Sequence, residues 1–246
     1  MYEKFDKVLR WSMSVLLMVA MLVVAARLAT GEWKENMPAT ARNVKTDDTR
    51  RKEQKLVVLD PGHGGNDPGK VGINGAYEKD VNLCIATKIK SYLESNDIKV
   101  VMTRQDDTGL YEEGASNKKV QDMKARVQLI DTSGAVLAVS IHQNSFPTES
   151  VKGTQVFYYE ESEKGKEYAE LLQATITEIL APEKQRKEKA NSDYYLLKKS
   201  TTPVVIVECG FLSNAKEAQM LVDDAYQERM AWAVCMGIMR CLNEME

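Results

Sequence analysis

From residue 56 onward, short apolar runs alternate with segments whose apolar residues recur every three or four positions. Residues 56–60 form an apolar run that ends in Pro-Gly and reads as a strand. Val81, Ile85, Ile89 and Leu93 fall on one face of a helix. Residues 98–102 read as the next strand, and Met123, Val127 and Ile130 mark a second helical face. Residues 136–141 suit a buried strand, while 154–159 alternate like a half-exposed one. Tyr168, Leu171, Leu172, Thr175, Ile176 and Ile179 give a third helical stripe, 204–207 another buried run, and 224–243 a closing helix. Strands and helices in alternation predict a single α/β domain with a largely parallel twisted sheet flanked by helices.

A different pattern precedes this domain. Lys4, Lys7 and Arg10 lead into an uncharged run over residues 11–26. The run is slightly short for a spanning helix, but Lys and Arg at its ends can snorkel toward headgroups. Residues 10–29 then reach across, with the flanking bases inside and the rest of the chain outside. The alternative is a signal peptide cleaved near Ala29-Thr30-Gly31, which leaves a secreted protein. Residues 1–29 are thus expected to be a membrane anchor or signal segment, 30–55 a polar linker and 56–246 the catalytic domain. As a flexible chain, the linker has an r.m.s. span of roughly 30 Å, which keeps the domain near the membrane.

Composition narrows the function. Apolar residues make up 43% and charged residues 28% of the 246, enough for a sizeable core. The net charge of −3 lacks the basic excess of a nucleic-acid binder. The four cysteines, Cys84, Cys209, Cys235 and Cys241, show no CxxC spacing. There are only two histidines, His63 and His142. His63 follows the first strand in Asp60-Pro61-Gly62-His63-Gly64-Gly65. His142 ends a strand in Ser140-Ile141-His142-Gln143-Asn144, and Glu208 ends another in Val207-Glu208-Cys209-Gly210. Ligands of open parallel sheets bind at the carboxyl ends of strands, so all three residues are expected in one crevice.

Two histidines supply two of the three protein ligands that a catalytic zinc needs. Glu78, which opens the helix after the His63 loop, is the best third ligand. Asp60 and Asp67 compete with it, and Asp60 suits better a partner that orients a histidine. Cys209 is a softer rival that should face away from Glu208. Two other readings are weaker. A phosphate cradle lacks its glycine motif, and a Cys209–His142 nucleophile pair leaves His63 and the glycine loop unexplained.

These motifs, with Glu208-Cys209-Gly210-Phe211-Leu212-Ser213-Asn214, resemble the zinc-dependent N-acetylmuramoyl-L-alanine amidases across most of residues 56–242. The subtype most similar is the germination-specific amidase of the spore cortex, which is also short, carries an N-terminal membrane segment and lacks wall-binding repeats. The resemblance implies that His63, Glu78 and His142 bind Zn²⁺ and that Glu208 is the catalytic carboxylate. It also implies a substrate amide in peptidoglycan, between N-acetylmuramic acid and L-alanine. Cleavage would prepare the muramic acid for lactam formation in cortex maturation and germination, at the forespore membrane. An accessory exported protein is a further expected partner, and nucleic acid is not one. Asn144 is expected either to hydrogen-bond substrate or to brace its loop, and Arg126 to form a structural salt bridge. The chain departs from many members at Gln143, expected at the edge of the site, and at Cys209. The rivals are a zinc peptidase cutting within the stem peptide and a noncatalytic wall-binding protein. Every expected site residue is present, which weighs against the second.

Overall fold

The computed structural model describes residues 55–245 and, upstream, Leu16, Met18, Val19, Met21, Leu22, Val23 and Ala26. The chain divides into two units, Met1–Lys52 and Glu53–Glu246. In the first unit the described residues are helical and exposed. The rest of the expected anchor over 10–29, and the expected linker apart from Lys55, lie outside the described residues. Among the described residues no helix is long and apolar enough to cross a membrane.

The second unit is an α/β domain. Its elements are β1 (Leu56–Pro61), α1 (Glu78–Glu94), β2 (Lys99–Met102), α2 (Lys118–Thr132), β3 (Leu137–Asn144), β4 (Gln155–Tyr159), α3 (Glu163–Leu180), β5 (Lys189–Asn191), α4 (Tyr195–Lys199), β6 (Val204–Phe211), α5 (Ala215–Leu221) and α6 (Asp224–Asn243). The six strands form one sheet in the order β2-β1-β3-β6-β4-β5. Strands β2, β1, β3 and β6 are mutually parallel. β4 runs antiparallel to β6, and β5 parallel to β4. The sheet is therefore largely parallel, as expected, in four of its five pairings, and mixed through the antiparallel β4–β6 pair, which was not expected. The cause is the connection between β3 and β4. A parallel crossover needs a dozen or more residues and usually a helix. The segment 145–154 holds neither, so the chain returns in the opposite direction. The helix α3 then carries β4 to β5 by a parallel crossover.

Side chains leave alternate faces of each strand, and two cores result. Val57, Leu59, Val139, Ile141, Val205 and Val207 pack with α1, α3 and α6, through Ile85, Ile89, Tyr168, Leu172, Val234 and Ile238. Val58, Ala138, Val204 and Ile206 face the other side, where they meet Ile130, Leu196 and Leu197 of α2 and α4. Each fully buried Leu or Ile contributes about 1.5–3 kcal/mol, so the larger first core dominates stability. The second face carries fewer apolar side chains and keeps room at its carboxyl end for polar ones.

Candidate active site

The same alternation builds the site. On β1, β3 and β6 the residues in phase with the second core are Val58 and Asp60, Ala138 and Ser140, and Val204 and Ile206. Continuing that phase to the carboxyl ends brings His142 and Glu208 out on this face, as register partners across β3 and β6. Cys209 falls on the opposite face, in the larger core. His63, just past β1, joins them in a cleft of about 700 Å³.

Glu78 stands at the centre of the cluster. Its Oε1 lies 2.9 Å from His142 Nδ1 and 3.2 Å from His63 Nε2. Oε1 also accepts from the backbone N–H of Gln143, and Oε2 from that of Lys70, at 3.1 and 2.8 Å. Burial pushes the Glu78 carboxyl up, but hydrogen bonds from His142 and His63 outweigh it and hold the group well below the usual carboxylate range. One ligand atom from each of His63, Glu78 and His142 falls within 4.8 Å of the others, an arrangement that can hold a metal ion. The chain reaches this density through two glycines. A Cβ on Gly62 would meet the His142 ring at 2.2 Å. One on Gly69 would meet Glu78 Oε2 at 2.6 Å, at a φ of +68°.

The backbone of His63 is itself in the left-handed region, with φ 62°, a conformation that a non-glycine residue holds only under constraint. Two buried arginines supply the constraint. Arg126 donates to Asp60 Oδ1 (2.7 Å), Pro61 O (2.9 Å) and His63 O (2.6 Å). Arg104 donates to Pro61 O (2.9 Å) and Gly62 O (3.0 Å). Three consecutive carbonyls are thus pinned, with Asn82 adding a bond to Gly62 O at 3.1 Å. Arg126 makes the expected structural salt bridge. Arg104 was missed, although a charge directly behind the strand Val-Val-Met-Thr is a readable signal. Asp60 orients no histidine. It binds Arg126, Thr103 and Ser140. Asp67 takes the orienting position, 2.9 Å from His63 Nδ1. A carboxylate there favours the Nδ1–H tautomer and leaves Nε2 turned toward Glu78.

Glu208 is 7% exposed, and its Oε2 has no hydrogen-bond partner among the described residues. Burial pushes its carboxyl up to about 7, His142 pulls it down, and Glu78 adds to the rise. A carboxyl poised near neutrality, with one oxygen free of hydrogen bonds among the described residues, suits proton transfer. Asn144 lines the cleft, and its Oδ1 accepts from the N–H of Ser145 at 2.8 Å. Gln143 lines the cleft as expected, beside His142, but its side chain turns inward. It is buried, and its Nε2 donates to Asn82 Oδ1 at 3.1 Å, tying β3 to α1.

Comparison with known proteins identifies the family. Residues 57–240 match the N-acetylmuramoyl-L-alanine amidase family. The germination-specific N-acetylmuramoyl-L-alanine amidase of Bacillus subtilis is 39% identical over 193 residues, covering 77% of this chain and 81% of the relative. Among solved structures, the CwlD amidase of Clostridioides difficile, in complex with the GerS lipoprotein, superposes with a TM-score of 0.74 at 39% identity. That match covers 77% of this chain and 98% of the other. An N-acetylmuramoyl-L-alanine amidase from Clostridium difficile 630 gives 0.69 at 33% identity, over 77% and 97%. A family match over most of the folded domain, with relatives of 39% identity of which it covers 81% and 98%, leads to one assignment: this chain belongs to the N-acetylmuramoyl-L-alanine amidase family.

Proposed function

We propose that this amidase is a zinc enzyme of the spore cortex, in which His63, Glu78 and His142 hold the metal and Glu208 moves the proton. The observation that carries the reading is the convergence of the two histidines on one carboxylate, beside Glu208, whose Oε2 has no hydrogen-bond partner among the described residues. The donor set suits the ion. Two imidazoles and one carboxylate would hold a zinc through three ligands, the number that catalytic zinc sites use. Ligand atoms around a tetrahedral zinc, with bonds of about 2.0–2.1 Å, lie roughly 3.3 Å apart. The two separations from Glu78 are 3.2 and 2.9 Å, and all three ligand atoms lie within 4.8 Å of one another.

A bound zinc would polarise the scissile carbonyl and make water a stronger acid. Glu208 accepts a proton from the attacking water and delivers it to the departing nitrogen of L-alanine. Asp67 holds the His63 ring, and the N–H groups of Lys70 and Gln143 hold the Glu78 carboxylate. Ligand orientation is therefore fixed before metal or substrate arrives.

Likeness to the B. subtilis germination-specific amidase and to the C. difficile CwlD amidase supports a role in cortex maturation, linked to muramic lactam formation and germination. The second was solved with a lipoprotein, which supports an exported accessory partner for this chain. A cell-wall substrate places the domain outside the cytoplasm. We assign residues 1–29 as its membrane anchor and 30–55 as its tether, on the basic flank and the uncharged run. The test is mass spectrometry of muropeptides after incubation with the zinc-loaded full-length chain in detergent. Free peptides beginning with L-alanine, together with peptide-free glycan, are expected. Cuts only between stem amino acids would overturn the reading in favour of a peptidase.

A further inference from the structure

The charges on the cleft wall do not balance. Five carboxyl groups line it, and four are already engaged. Asp60 and Asp122 bind Arg126, Asp67 binds His63, and Glu78 binds both histidines. The fifth, Glu208, is the buried group assigned to proton transfer. Three lysines line the same cleft: Lys70, Lys118 and Lys119. Lys118 has no acidic partner among the described residues, and its Nζ lies 5.3 Å over the Tyr111 ring. Lys119 approaches one carboxylate oxygen, Asp67 Oδ2, at 4.0 Å, and that oxygen already serves His63. Lys118 and Lys119 are thus ammonium groups at this cleft with no carboxylate of their own among the described residues.

The position of Lys119 is informative. Asp67 Oδ2 stands 2.9 Å from His63 Nδ1 and 4.0 Å from Lys119 Nζ. The ammonium group is therefore within about 7 Å of the imidazole. Two extended residues span about that distance, at roughly 3.3–3.6 Å each. In a peptidoglycan stem the residue after L-alanine is a glutamate linked through its side-chain carboxyl. Its α-carboxylate stays free, about two residues from the scissile amide. We propose that Lys118 and Lys119 are specificity-determining residues that read this carboxylate, so that the enzyme prefers stems whose second residue is a free acid to stems amidated there. The proposal rests on the amidase reading above.

The lysines occupy the first turn of α2, which contains no acidic residue. Positive charge at a helix start opposes the helix dipole. A purely structural reading thus predicts no loss of stability when these charges are removed, whereas selectivity depends on them.

The experiment uses the zinc-loaded full-length chain in detergent and two muramoyl-peptide substrates, alike except for a free or amidated α-carboxyl at the second residue. The wild type is expected to prefer the free acid by roughly 3- to 10-fold in kcat/KM, the scale of two solvent-screened ion pairs. The preference should reside in KM and shrink as salt rises. The Lys118→Gln/Lys119→Gln variant should bring the ratio of the two substrates close to one without lowering Tm, and Lys118→Arg/Lys119→Arg should retain it. Equal kcat/KM for both substrates in the wild type, or an unchanged ratio in the Gln variant, overturns the proposal while leaving the amidase reading intact. Failure to release peptide from either substrate overturns the amidase reading and takes this proposal with it.

Discussion

His142 and Glu208 are register partners on the parallel strands β3 and β6, yet Glu208 Oε2 is buried without a hydrogen bond among the described residues. A carboxylate that braced the strand would be bonded, because an unpaired buried polar group is costly. Glu208→Gln should therefore fold normally, with Tm unchanged or raised, since it removes a charge that burial disfavours. Turnover should fall by about 10²–10⁴-fold, the contribution of a general acid–base group, with metal content retained. Metal analysis, thermal melts and turnover on one preparation check this. A folded, metal-loaded variant with near-normal turnover removes Glu208 from the mechanism.

Glu78→Ala should give the opposite signature. It removes the carboxylate shared by His63 and His142 and leaves the N–H groups of Lys70 and Gln143 without their acceptor. The buried Gln143 donor, left unpaired, costs about 1–3 kcal/mol. Metal content, Tm and activity should all fall together. A variant that retains stoichiometric zinc would show that the carboxylate is not a ligand.

Chelation should abolish turnover, and zinc should restore it, while thiol reagents leave it intact. Cys209 is 1% exposed and faces the larger core, and burial pushes its thiol well above the ordinary range. Reactive cysteines are exposed and acidic, and this one is neither. Full turnover in a metal-free preparation would be the contrary result.

Much of this site is legible because strand phase and strand ends are legible. The buried runs 136–141 and 204–207 fix which residues share a face, and so bring His142 together with Glu208. The direction of β4 was not read, because it depends on the length of the segment after β3 and not on the strand itself. β5, α4 and α5 are too short to show a period. Lys189–Asn191 contains no β-branched residue, and α4 and α5 span 5 and 7 residues. That Asp67, and not Asp60, orients a histidine was hidden for another reason. Both flank His63 in sequence, and only the fold places Arg126, Ser140 and Thr103 around Asp60.

Gly69→Ala should damage the metal site more than the fold. The φ of +68° strains any side chain, and the new Cβ would lie 2.6 Å from Glu78 Oε2 and 2.7 Å from His63 Cδ2. Gly75→Ala is the control, since its φ of +81° carries similar strain with nothing within 4 Å. Both should lose about 1–3 kcal/mol of stability, and only Gly69→Ala should weaken zinc affinity. Equal zinc affinities, measured by competition with a chelating dye, would show that the close approach at Gly69 does not matter.

The Asp60–Arg126 pair sets the acid stability of the domain. Burial pushes the Asp60 carboxyl up, but Arg126, with the Ser140 and Thr103 hydroxyls, outweighs it and lowers the group from 3.8 to about 2. The folded pKa lies below the unfolded one, so the associated stability is fully present above about pH 4. It is lost as pH falls through the folded value, and it amounts to about 2 kcal/mol. Arg126→Met reverses the balance. It strands the Asp60 charge in a buried site and frees the carbonyls of Pro61 and His63, a loss of about 3–5 kcal/mol at neutral pH. With the guanidinium gone, burial is the leading influence on Asp60, so its folded pKa should rise above 3.8. The variant should then lose less stability than the wild type as pH falls from 5 to 3, and the two Tm profiles should converge toward acid. Asp60→Asn in the Arg126→Met background removes the stranded charge and should recover part of the neutral-pH loss. Thermal melts across that pH range decide the matter: parallel profiles for wild type and Arg126→Met would show that Arg126 does not control the Asp60 charge.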